Sequence, residues 1–536
     1  MTEEAADGSK QVKTEFQYDP FGHPTRKTIE DEREDLEDRI RTWEYLHDLD
    51  GQIWYLEDPQ NNKYHYEYDS LGNLVSVKQN DKLTTVYRYN ALSWKLAEEY
   101  KLDKKTESYT YTATGNVATF TDKAGNIHLY DYTPFYEVSA ETVYNRSGSK
   151  VLERNYDYED TNGLLKRETS GEHEITYDYG LYRRMTAYHV KHPDTSRKLT
   201  YYLQYQEGAD LNEYNINDLD DLVDSITYSD DKKVEYRYDS LGRISQVSGS
   251  LTGTIAYQYL TNQSGEQTTV TYPNGNGFTQ SRNPFGEIVK TYHGDGWKEE
   301  SSYDGFGNIT RVERGNEEWN YEYDQIDRII KERSSASPDE SSYTYDDLGN
   351  RKEVVLAKYP LPEKNRSYSY NEWNQLTQVK EDGETTRYSY YPNGLRSTKK
   401  DDDGTTQYVY YNGHVIEELD GSGNIKAQNV YGASLLFRKD HTTGQSGYYL
   451  PNSHGDVMKV VDAKTNKVLN RYDYDIWGNL KPDSVKEEMN NPFRYAGEMY
   501  DQETGMYYLR ARYYDPTMGR FISEDTYKGQ IVNPLR

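Results

Sequence analysis

Two aspartates near the C-terminus, Asp515 and Asp525, are flanked by Arg512 and Arg520. Two carboxyl groups that share a proton, one acting as acid and the other as base beside a cation that sets their pKa values, are what aspartic-type hydrolysis requires. The same residues also fit a plainer purpose, with the aspartates capping turns before Pro516 and Thr526 and the arginines pairing with them. Other candidate chemistry is thinner. His189 and His192 have no neighbouring His or Cys to complete a zinc set and are expected at the surface. His454, within Asn452-Ser453-His454-Gly455-Asp456, reads as a turn residue, and no Ser/His/Asp order stands out. The acidic runs at 215–221 and Asp401-Asp402-Asp403-Gly404 lack the alternating ligands and distant Glu of a calcium loop, so they read as solvated loops. With no cysteine in the chain, disulfides, thiolate nucleophiles and Cys-ligated zinc are excluded. Neither a cofactor nor a metal is expected.

These residues must be positioned by a chain of unusual composition. It carries 63 basic and 91 acidic side chains, a net charge of −28, which argues against a nucleic-acid-binding surface. Aliphatic residues are too few for an ordinary core, but 58 of the 536 residues are tyrosine, whose ring can be buried while its hydroxyl keeps a polar partner. Those tyrosines recur in one phrase. Tyr64-His65-Tyr66-Glu67-Tyr68-Asp69-Ser70-Leu71-Gly72-Asn73 returns as Tyr236-Arg237-Tyr238-Asp239-Ser240-Leu241-Gly242-Arg243, and again from Tyr343 to Asn350. The last tyrosines of successive copies step by 20 to 26 residues, as in Tyr303, Tyr323, Tyr345, Tyr370, Tyr390 and Tyr410.

Tyr-x-Tyr-x-Tyr puts rings on one face of a strand, and the Asp and Gly that follow make a turn. Each unit is therefore one β-hairpin. Lone hairpins are marginal, so the units are expected to pair edge to edge into an all-β, long antiparallel sheet, coiled by its twist into a spiral or shell. Trp94, Trp373 and Trp477 follow Tyr-Asp-type positions and read as packing anchors between turns. The array is taken as residues 50–425. Ahead of it, residues 1–49 include Ile29, Leu36, Ile40, Trp43 and Leu46, whose spacing predicts a short amphipathic helix between Thr28 and Leu49. Behind it, residues 426–536 abandon strict repetition for distinct phrases and read as a specialised terminal module. No apolar run is long enough to span a membrane, and Met1-Thr2-Glu3-Glu4 lacks the start of a secretory signal.

The Tyr-Asp units resemble the YD repeats of rearrangement hotspot (RHS) proteins, and Tyr495-Ala496-Gly497-Glu498 through Gly519-Arg520-Phe521-Ile522-Ser523-Glu524-Asp525 resembles the RHS-associated core. The closing words from Ser523 to Gly529 are most similar to wall-associated YD-repeat proteins of Gram-positive bacteria. The resemblance implies a secreted or wall-associated β-shell that encloses a C-terminal polymorphic toxin destined for competitor cells, closed by a core domain that often cuts the toxin free as an aspartic-type self-protease. Asp515, Asp525, Arg512 and Arg520 match that protease by resemblance. The sequence ends at Arg536, before the family's scissile segment and toxin, so the expectation is a non-enzymatic, monomeric shell whose cargo partner is absent from this chain. A carbohydrate or cell-wall-binding adhesin is the alternative, with self-cleavage a third reading.

Overall fold

In the computed structural model, residues 2–4, 11–31, 40–191, 193, 198–205, 222–335, 340–345, 351–355 and 366–525 are described. They form 47 strands, β1 to β47 in chain order. A sheet of 31 strands covers β1 (Thr2–Glu4) to β31 (Arg351–Val355), a second of 12 covers β32 (Arg366–Tyr370) to β43 (Lys486–Glu487), and a third of four covers β44 (Met499–Asp501) to β47 (Arg520–Phe521). Within each sheet, strands pair antiparallel with their sequence neighbours, so the long sheet is one uninterrupted meander of hairpins.

One unit shows why the sequence folds this way. In β6 (Lys63–Tyr68), Tyr66 is buried, with Tyr64 and Tyr68 on the same face, and Glu67 is exposed on the other. At the following turn, Asp69 Oδ1 accepts hydrogen bonds from the backbone N–H groups of Leu71 and Asn73, both at 2.9 Å. Gly72 takes φ +81°, which a side chain resists. At most units' last tyrosine the pairing also carries an irregularity: that of β6 with β7 (Leu74–Gln79) shifts between Glu67 and Tyr68, and the same shift recurs before Tyr89, Tyr111, Tyr132, Tyr238 and Tyr323. A bulge increases local twist, so bulges recurring in most repeats bend the ribbon cumulatively.

The phenol hydroxyls have a definite task. Among the described residues, in thirteen units the last tyrosine donates to the backbone carbonyl of a residue 14 to 20 positions earlier, at 2.5–3.0 Å. The acceptor is always the first residue of its strand, as with Tyr68 to Ile53 and Tyr259 to Ile244. Each tyrosine thereby ties one turn to the previous one along a single rim of the sheet.

The core is layered. Tyr188, Tyr201, Tyr228, Ile255 and Tyr272 of the long sheet pack against Val409, Leu419, Val430, Leu436 and Tyr448 of the second. The second sheet's other face packs against the third, where Val379, Tyr388 and Tyr449 meet Met499, Met506 and Tyr513. The middle strands of the second sheet are thus covered on both sides. In β37 (His414–Asp420), five consecutive residues from Val415 to Leu419 are buried. This two-sided burial explains why strict one-face alternation fades toward the C-terminus.

Three expectations are corrected here. The helix predicted between Thr28 and Leu49 does not form: β3 (Pro24–Asp31) and β4 (Ile40–His47) occupy its described parts, and Leu36 lies outside the described residues. Arg41 and Trp43 point inward while Ile40 and Leu46 are exposed, because pairing with the neighbouring hairpins outweighs a helical spacing of apolar residues. His189, expected at the surface, is mostly buried between Asp178 and Thr200, each at 2.9 Å; His192 and the run 215–221 lie outside the described residues. Trp94 does pack beside the next turn, against Tyr111, but Trp373 and Trp477 reach across to the long sheet, donating to Glu141 Oε1 and the Tyr343 hydroxyl, each at 2.9 Å. Strand pairing passes residue 425 without a break, since β38 (Ile425–Tyr431) pairs with both its neighbours.

Candidate functional site

The four residues singled out for self-cleavage gather around β46 (Arg512–Asp515) without forming a shared-proton pair. Alternation along the strand places Arg512 and Asp515 on opposite faces. Asp515 faces inward and is 2% exposed; its Oδ2 accepts from Arg366 Nη1 at 2.7 Å, and its Oδ1 from the backbone N–H of Thr517 at 2.8 Å. Arg366, at the start of β32, also pairs with Glu381. Asp525 lies on the other side, half exposed, bound to Arg512 Nη2 at 2.6 Å. Arg512 also stacks 3.7 Å from the Phe521 ring centre. Arg520 is the backbone partner of Asp515 across β46 and β47 but is exposed, with no ion pair among the described residues. Each aspartate is therefore engaged by its own guanidinium, an arrangement that supports turn capping and docking of the last sheet.

Buried ion pairs of the inner sheets carried no sequence signal. Arg396, fully buried in β35 (Arg396–Asp401), donates to Asp501 Oδ2 at 2.6 Å, with the rings of Tyr408 and Tyr508 both 4.5 Å from its guanidinium carbon. Arg438 pairs with Glu418 and also donates to Asn429 Oδ1 at 2.9 Å. Both arginines hold elevated pKa values despite burial, because the adjacent carboxylates outweigh desolvation. An arginine on a strand covered from both sides can only be recognised once the covering sheet is known.

A seam of polar contacts joins the long sheet to the inner ones. Tyr228 donates to the Asn429 carbonyl at 2.7 Å, and Tyr272 to the Tyr449 carbonyl at 2.5 Å. Glu299 bridges Arg314, at 2.7 Å, and the backbone N–H of Ser453, at 3.0 Å; Arg314 continues to Asp473 at 2.6 Å. His128 sits between Asp122 and Glu141; burial opposes its charge, but the two carboxylates prevail and raise it to about 9. Glu332 is pushed to about 7 by burial and then by Asp475, which burial also raises. His454 is raised by its bond to Asp456, at 2.8 Å. Among the described residues, no group of three or more His, Cys, Asp or Glu could hold a metal ion, and no helix is long and apolar enough to cross a membrane.

This architecture, a bulged tyrosine meander closed on two inner sheets, has counterparts among known proteins. Residues 286–534 match the family model described as Teneurin YD-shell. The tRNA3(Ser)-specific nuclease WapA of Bacillus spizizenii is 32% identical over 259 residues, covering 46% of this chain and 10% of that protein. Double-stranded DNA deaminase toxin A of Burkholderia cenocepacia is 24% identical over 234 residues, 42% of this chain and 15% of that one. The crystal structure of TcdB2-TccC3-Cdc42 shares the fold with a TM-score of 0.76 at 14% identity, covering 97% of this chain and 33% of that one. A Photorhabdus luminescens Tc holotoxin pore gives a TM-score of 0.70 at 14% identity, over 98% of this chain and 32% of that one. The C-terminal part of the chain thus matches the YD-shell model, and the shell fold of the structural relatives extends over nearly the whole chain. The chain spans about a tenth of the WapA nuclease and a third of the structural relatives.

Proposed function

We propose that the chain is the wall of a capsule that encloses a toxin polypeptide and keeps it from solvent, with no catalysis of its own. The observation that carries this reading is the continuous meander of 31 strands, bulged at its recurring tyrosines and sealed against two inner sheets. The WapA relative is named as a nuclease, and the deaminase relative as a toxin, although each is matched over only a small part of its length. The partner is then a toxin segment, and the site of action outside the cell or at the wall. Asp515 and Asp525 act in this reading as ion-pair anchors of the closing sheet. Co-expression of the chain with a downstream toxin segment tests it: the segment is expected to survive protease treatment that digests it when free, and digestion at the free rate refutes enclosure.

A further inference from the structure

The inner sheet turns one polar face toward the long sheet across a cavity of about 820 Å³. The face is built by β34 (Glu384–Tyr390), β35 and β36 (Gly404–Tyr411); the opposite wall includes the turn joining β15 (Leu165–Ser170) to β16 (His173–Tyr179). Arg387 and Lys400, both exposed, line the open side of the cavity and are directly opposed in the β34–β35 register. Neither forms an ion pair among the described residues. Like charges directly opposed across a sheet repel and destabilise the pair. Around them the lining hydroxyls of Ser389, Thr398 and Thr405 supply further donors. Two lining carboxylates lie on the facing wall: Glu153, already engaged by Lys150 at 2.7 Å, and Glu172. Counting Lys150, Arg387 and Lys400 against these two, the cavity is locally positive in a chain of net charge −28.

We propose that this cavity is a binding site for a phosphate-type oxyanion, seated between Arg387 and Lys400 and hydrogen-bonded by the neighbouring hydroxyls. A guanidinium offers a planar fork to such an oxyanion, an ammonium adds a point charge, and an anion between them removes the repulsion that the bare pair carries. The volume exceeds what a bare phosphate fills, leaving room for an organic body on the phosphoryl group. The inference is independent of what the shell encloses.

Isothermal titration calorimetry on the full chain, at constant ionic strength set with chloride, tests the site with two probes, inorganic phosphate and glycerol 3-phosphate. Saturable binding of at least one is expected, with a rise in melting temperature. Equal affinities would assign recognition to the phosphoryl group alone, and tighter binding of the ester would show that the organic body is also held. Arg387→Gln with Lys400→Gln should weaken binding at least tenfold, whereas Lys104→Gln with Lys105→Gln, exposed residues outside the cavity lining, should leave it unchanged. In chloride alone the double variant should melt no lower than the parent, because it loses a repulsion. Absence of saturable binding to either probe, equal binding by the Arg387/Lys400 variant, or a lower melting temperature of that variant in chloride overturns the assignment.

Discussion

Replacing Glu332 by Gln should stabilise the seam between the long sheet and the terminal strands, by an amount that grows as pH rises from about 5 to about 7. Glu332 lies on β29 (Ile329–Ser334), and its carboxyl is raised from 4.5 to about 7 by burial first and by Asp475 second; Lys481 pulls the other way and Tyr343 offers a weak hydrogen bond. A carboxyl whose folded value exceeds its unfolded one binds an extra proton on folding, so stability falls as pH rises from about 4.5 to about 7 and is flat beyond. Across that interval the cost reaches about 3 kcal/mol at pH 8 and stays below about 1 kcal/mol at pH 5. Glutamine is neutral throughout, so Glu332→Gln should recover up to those amounts. A repetitive sheet need not unfold in one step, so the quantity to follow is local opening. Hydrogen exchange of amides in β29, β30 (Glu340–Tyr345) and the Asp475–Asn479 turn, parent against variant at each pH, reports it. Equal protection in both proteins at pH 8, or a gain of the same size at pH 5 and pH 8, would refute the reasoning.

Two further substitutions probe the wall and its closure. Tyr238→Phe removes the 2.8 Å bond to the Val223 carbonyl while keeping the ring, and should cost about 1 kcal/mol locally, read as faster amide exchange between those residues and little change in distant hairpins. Arg396→Met strands the buried Asp501 carboxylate and should cost about 3–5 kcal/mol, whereas Arg396→Met with Asp501→Leu should recover most of the loss in denaturant unfolding; a double variant as unstable as the single one would show that the ion pair is not the cause.

The repeat, its strands, its turns and the face that carries the rings could all be read from the chain. Each depends on residues a few positions apart: alternate tyrosines on one strand, an aspartate bonding N–H groups two and four residues on, and a glycine free to take positive φ. The coiled all-β architecture follows from those units, because identical hairpins can only pair with one another. Longer-range choices were settled in three dimensions. Between Thr28 and Leu49 a helical spacing competed with strand pairing, and the neighbouring hairpins decided for strands. Asp515 found its cation at Arg366, 149 residues away, and Trp373 found Glu141, 232 residues away; neither separation leaves a local pattern. Periodicity records what a residue owes to its own strand, while a buried charge acquires its partner only when a second surface is laid over it, and that surface was placed by tertiary packing.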